Sequence, residues 1–175
     1  MTSKTLVLGI GNILLRDDGV GVWVAEKLRR QFRFPESVTI IEGGTLGLDL
    51  LPQLDGVERL LIVDAVRHGG APGELVRLEG REVPAVLGHK LSPHQVGVQD
   101  LLAAAQLMGL EFSNLVLWGI EPESLDPGTG FSSRVGESLP RLVTNVIEEL
   151  ARWGLPGSPC GEEISSPIWW LEPHQ

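Results

Sequence analysis

GIGNILLRDDGVG, residues 9–21, decides how the chain is read. The apolar run Leu6-Val7-Leu8 leads into Gly9-Ile10-Gly11, as a buried strand leads into a phosphate-binding loop. A dinucleotide loop needs a third glycine, because the helix must approach the strand closely there. Counted from Gly9, that sixth position is Leu14. The helix also begins late, after Asp17, and a carboxylate already stands where its N-terminus would attract a phosphate. What remains is a strand–loop–helix unit with an acidic loop. Asp17 reads as a helix cap. Asp18 reads either as a cap or as a functional ligand, and Gly19 and Gly21 imply tight backbone packing beside it.

The pattern continues outward from this stretch. Strands are expected at Thr5–Ile10, Val38–Ile41, Arg59–Asp64 and Asn114–Ile120, all with continuous apolar runs. Glu74–Leu78 alternates and reads as a fifth strand, antiparallel and at an edge. Helices are expected at Val20–Phe32, Leu46–Leu54 with Thr45 as its cap, Ser133–Trp153 with an irregularity at Pro140, and from Ser92 to about Met108. Ser92-Pro93-His94-Gln95 has a capping serine, a proline at the first helical position and glutamine three residues after the serine. Arg81–Lys90 reads as irregular and Glu121–Phe131 as a long loop. This alternation implies a doubly wound α/β domain: a mostly parallel five-stranded sheet with helices on both faces. One domain is expected over residues 1–153, with 154–175 as a tail whose Ile168-Trp169-Trp170-Leu171 docks on the body or on a partner.

The formal net charge of −9 disfavours nucleic acid and anionic membranes as partners. The single cysteine, Cys160, excludes an internal disulfide and reads as an incidental thiol. The N-terminus MTSKTLVLGIGN is no signal peptide, and no apolar run approaches the ~18 residues of a membrane span, so a cytoplasmic protein is expected. No oligomerisation signal is evident, so a monomer is expected.

Two further residues stand out. Asp64 ends a buried strand, and ligands of open α/β sheets bind just outside such ends. A carboxylate there is paired, with Arg67 as the nearby candidate, or coordinates a cation. His94 lies in the first turn of its helix, where the dipole favours the neutral imidazole that ligates metals. His68, in what reads as an exposed turn, and His174 in the tail lack such framing; His89 is secondary. Asp18, Asp64 and His94 all occupy strand-end or helix-start positions, which a parallel sheet gathers on one edge. Two carboxylates and an imidazole suit a borderline divalent ion such as Ni²⁺ or Zn²⁺. Glu42 and the Gly43-Gly44-Thr45 turn either border that cleft or are a tight strand-to-helix connection. H-E-x-x-H, G-x-S-x-G and paired C-x-x-C motifs are absent.

Five blocks in order, LGIGNILLRDDGVG, IIEGGTLGLDLL, LLIVDAV, KLSPHQVG and LWGIEPESLDPGTGFS, resemble the hydrogenase maturation endopeptidases of nickel–iron hydrogenases. The resemblance spans Leu6 to Val146. It implies a doubly wound fold and a protease that removes a C-terminal extension from the hydrogenase large-subunit precursor after nickel insertion. It also implies that Asp18, Asp64 and His94 are the nickel-binding positions, with the nickel carried by the precursor. Some members have glutamate where Asp18 stands, one methylene longer. The enzyme expected is a metal-dependent aspartyl-type or metallo endopeptidase. The rival readings are a non-catalytic nickel-sensing chaperone of the same subunit and a nucleotide-binding enzyme built on the Gly9–Gly11 turn.

Overall fold

The computed structural model describes residues 3–87 and 93–160, with backbone alone for 93–96. Strand β1 (Lys4–Ile10) is followed by a 3-10 segment (Arg16–Gly19), helix α1 (Val20–Gln31) and the short strand β2 (Phe32–Arg33). Next come β3 (Val38–Gly44), a second 3-10 segment (Gly47–Leu54), β4 (Val57–Ala65) and β5 (Leu75–Glu79). The chain continues with α2 (Glu82–Leu87), α3 (Pro93–Leu107), β6 (Asn114–Ile120), α4 (Ser133–Arg152) and β7 (Ser158–Pro159).

The main sheet has five strands in the order β3-β1-β4-β6-β5. Pairings β1–β3, β1–β4 and β4–β6 are parallel; β5 is antiparallel to β6 and lies at the edge, as its alternation suggested. Each face of the sheet has its own core, because successive strand residues point to opposite sides. Leu6, Leu8, Ile10, Leu60 and Ile62 pack with Leu50, Leu54, Leu101 and Ala105 from the second 3-10 segment and α3. Val7, Leu61, Val63 and Val116 pack with Val24 and Leu28 of α1 and with Leu142 and Val146 of α4. Both faces are covered, which explains the unbroken apolar runs of the parallel strands.

Three local readings are corrected. Residues 82–87 form α2, although Pro84 sits in the middle of that stretch. Its first turn is steadied by Glu82, whose carboxylate accepts the backbone N–H of Glu79 (3.0 Å). Thr45 does not cap the helix after β3: that segment is a 3-10 helix flanked by Leu46, with no side-chain cap, and it contains Pro52. Helix α4 runs continuously through Pro140, and Thr144 Oγ1 donates to the Pro140 carbonyl (3.0 Å). Ser92, the expected cap of α3, lies outside the described residues, as do His89, His174 and Ile168–Leu171. Ser158–Pro159 pairs with Phe32–Arg33, so the start of the C-terminal stretch lies along the end of α1.

Candidate active site

The carboxyl edge of the sheet is built by close backbone approach. A Cβ on Gly21 would fall on the carbonyl oxygens of Val63 and Ile10, and one on Gly9 would meet the carbonyl of Gly21. Only glycine at both places lets the start of α1 seat against the ends of β1 and β4. Gly11 has φ of 136°, and the space its Cβ would need is filled by the Asp18 carbonyl. The loop after β1 therefore folds back so that Asp18 lies beside it, and the Asn12 N–H donates to Asp18 Oδ2 (3.1 Å).

Asp18 is wholly buried. So is Asp64, the penultimate residue of β4, paired in register with Gly119 of β6. Asp64 shares strand parity with Ile62 and Val66, which belong to the core beneath α3. His94 is the second residue of α3. Three residues on, Gly97 packs on Gly47, the first residue after the β3 turn: a Cβ on Gly47 would stand 3.0 Å from the Gly97 Cα. The backbone thus brings positions 18, 64 and 94 to the same edge of the sheet, while the His94 side chain lies outside the described residues. Among the described residues no group of three His, Cys, Asp or Glu forms a metal-binding cluster.

Asp17 is not a helix cap. Neither it nor Asp18 caps α1, which follows Gly19 without a side-chain cap. The Asp17 carboxylate is wholly buried and accepts four hydrogen bonds. These come from the backbone N–H of Glu123 (2.9 Å), Ser124 (2.9 Å) and Ser132 (2.7 Å) and from the Ser132 hydroxyl (2.8 Å). The loop is tied back in turn: Arg16 N donates to the Gly128 carbonyl (3.0 Å) and Gly128 N to that of Leu14 (2.8 Å). Trp23 of α1 packs edge-on against Phe131, with ring centroids 6.1 Å apart. The long loop after β6 is therefore part of the frame that holds Asp18.

Glu121, the first residue after β6, was not singled out from the sequence as a residue that shapes this edge. It is buried and accepts the N–H groups of His68 (2.7 Å) and Gly69 (3.2 Å), and Arg67 Nη1 lies 3.5 Å from it. The loop after β4 is tied to Glu121 through this carboxylate and through the backbone, where Gly73 N donates to the Glu121 carbonyl (2.8 Å) and Glu121 N to that of Glu74 (2.9 Å). His68 is consequently not in an exposed turn: its side chain is 13% exposed and its Nε2 is 3.8 Å from Glu121. The signal for Glu121 was an acid directly following a buried strand, the same signal that singled out Asp64. Glu42 is exposed, and Gly43 is packed against Leu8 and Leu50, so that turn is tight on its inner side.

The chain is similar over most of its length to proteins of known family. The sequence model of the hydrogenase maturation proteases, HycI, matches residues 22–149. The hydrogenase 2 maturation protease of Escherichia coli K12 is 38% identical over 157 residues, 89% of this chain and 96% of that one. The hydrogenase expression/formation protein HupD of Rhodobacter capsulatus is 41% identical over 154 residues, 87% of this chain and 73% of that one. The solved structure of the E. coli hydrogenase maturating endopeptidase HybD superposes with a TM-score of 0.85 at 38% identity, covering 89% of this chain and 97% of that one.

Proposed function

The chain belongs to the hydrogenase maturation protease family, and on that premise we propose that it cleaves the C-terminal extension from a nickel–iron hydrogenase large-subunit precursor once nickel is in place. Membership of the family implies an endopeptidase acting on a hydrogenase large subunit. The dependence on nickel, and the means by which nickel is sensed, are the finer part of the reading. In it, the nickel arrives as part of the substrate, and Asp18, Asp64 and His94 complete its coordination. What supports the reading is that both carboxylates are wholly buried and that their loops and the start of α3 belong to the carboxyl edge of the sheet.

The residues suit such an ion. Two buried carboxylates, one near the end of β4 and one in the 3-10 segment that precedes α1, concentrate negative charge in a poorly solvated place, and a divalent cation offsets it. Adding an imidazole from a helix start gives a mixed oxygen and nitrogen set that nickel accepts. A bound ion of this kind polarises a carbonyl or lowers the pKa of a water. The chain's own part is to hold its ligands rigidly, through Gly9, Gly11 and Gly21 beneath and the Asp17-tethered loop alongside, and so to fix the peptide near the ion. A carboxylate of the pair serves as the base that takes a proton from the attacking water.

The test mixes the purified protein with nickel-loaded and nickel-free precursor and reads the intact mass of the large subunit. Loss of a C-terminal peptide from the nickel-loaded form alone is expected. Binding without change of mass would favour the chaperone reading, and equal cleavage of both forms would remove the role of nickel.

A further inference from the structure

We infer that Leu14, Leu46 and Leu48 form an apolar rim that grips apolar side chains of the precursor segment flanking the scissile bond. The inference rests on the endopeptidase reading and adds which side chains of the protein substrate are recognised, and where.

Five large apolar side chains are strongly exposed among the described residues, and they fall in two places. Leu107 and Met108 stand at the C-terminal end of α3, the end remote from His94. The other three stand at the carboxyl edge of the sheet, on the loops after β1 and β3. Leu14 is 59% exposed, Leu46 54% and Leu48 50%. The two loops are neighbours: β1 pairs with β3, and beyond the strands the Gly11 N–H donates to the Gly44 carbonyl (3.0 Å).

The backbones of Leu14 and Leu46 are pinned, so these side chains are held outward. The Leu14 N–H donates to Asn12 Oδ1 (3.0 Å), and its carbonyl accepts Gly128 N (2.8 Å). The Leu46 N–H donates to the Gly43 carbonyl (3.1 Å), and its own carbonyl accepts Asp49 N (3.1 Å). Leu46 and Leu48 flank Gly47, whose inner side is closed by Gly97 of α3. Two leucines therefore sit beside the turn that carries His94. The third sits two residues after Asn12, whose N–H holds Asp18. A protein that brings a peptide bond to this edge lays its chain over these loops. Leucines held open there cost the free protein exposed apolar surface that a partner's apolar side chains would cover.

The experiment measures binding of the purified nickel-loaded large-subunit precursor by calorimetry and its cleavage by intact mass. Leu14→Ser, the pair Leu46→Ser with Leu48→Ser, the triple variant and Leu107→Ser are compared with wild type, and circular dichroism checks folding. Each rim leucine is expected to contribute about tenfold to precursor affinity. Leu107→Ser should bind within about twofold of wild type, being an exposed leucine remote from the edge. Unchanged precursor affinity in the triple variant would overturn the rim, as would a loss in Leu107→Ser equal to that in the triple variant. If wild type binds through the rim but never cuts, the endopeptidase reading fails and the rim stands. If wild type cuts and the rim variants bind like it, the rim alone fails. A wild type that neither binds nor cuts the precursor contradicts both.

Discussion

Asp17 and Asp18 are the same residue twice, and their surroundings separate them. All of the hydrogen bonds resolved at the Asp17 carboxylate run to the loop after β6, whereas Asp18 Oδ2 faces the loop after β1. Asp17→Asn replaces an acceptor oxygen by a donor facing N–H groups. It should cost about 2–3 kcal/mol of stability, read by urea unfolding, because a buried charged acceptor is lost. Asp64→Asn should act the other way round, leaving stability nearer wild type and weakening processing more than Asp17→Asn does. Equal effects on processing per folded molecule would demote Asp64. The division between the two aspartates was not legible in the sequence. Local rules offer a cap for either, and the deciding partners, Glu123, Ser124 and Ser132, are more than a hundred residues away in the chain. The buried strand-end position of Asp64 was legible, because it follows the unbroken apolar run Leu60-Leu61-Ile62-Val63.

Among the elements, the parallel strands were readable from their continuous apolar runs and α1 from its apolar stripe, whereas α3 was read from the Ser92-Pro93-His94-Gln95 start signal. α2 was not: Pro84 within six residues masks a helix whose Val83 and Leu87 are buried by the sheet and α3. The second 3-10 segment was read as a helix; it contains Pro52, which has no N–H to donate within a helix. Glycine contacts supply a test of how α1 is seated. Gly21→Ala would place a methyl on two backbone carbonyls that cannot move aside. A loss of about 3 kcal/mol or more is expected, or failure to fold. Gly136 of α4 has open space where its Cβ would stand. Gly136→Ala should stabilise by about 0.5–1 kcal/mol. Thermal unfolding of the two variants reads both; a tolerated Gly21→Ala would mean that α1 can shift and that Asp18 is not held as described.

On the scale of the molecule, one buried carboxylate fastens the antiparallel edge of the sheet to the last helix. Glu149 of α4 accepts Arg77 Nε (2.7 Å) and Nη2 (2.9 Å) from β5, Trp118 Nε1 (3.2 Å) from β6 and Arg152 Nη1 (3.0 Å). Hydrogen bonds from Arg77 hold the Glu149 carboxyl below its ordinary value of 4.5, against the opposing effect of burial. A carboxyl lowered in the folded state stabilises above its unfolded pKa. That stabilisation is therefore complete above the ordinary carboxylate range and is lost as the pH falls below it. Denaturant titrations at several pH values should show wild type losing more stability than Glu149→Gln between neutral pH and pH of about 3. Parallel losses would deny Glu149 this role. The proposed function belongs to the carboxyl edge of the sheet. Single-turnover cleavage of nickel-loaded precursor, read by intact mass, tests it through Asp64→Asn, His94→Ala and the two together. Side chains that hold one ion act as a unit, so each single change should slow cleavage about 100-fold or more and the double change hardly further. Losses that multiply in the double variant, or wild-type rates in His94→Ala, would contradict a shared ion at the carboxyl edge.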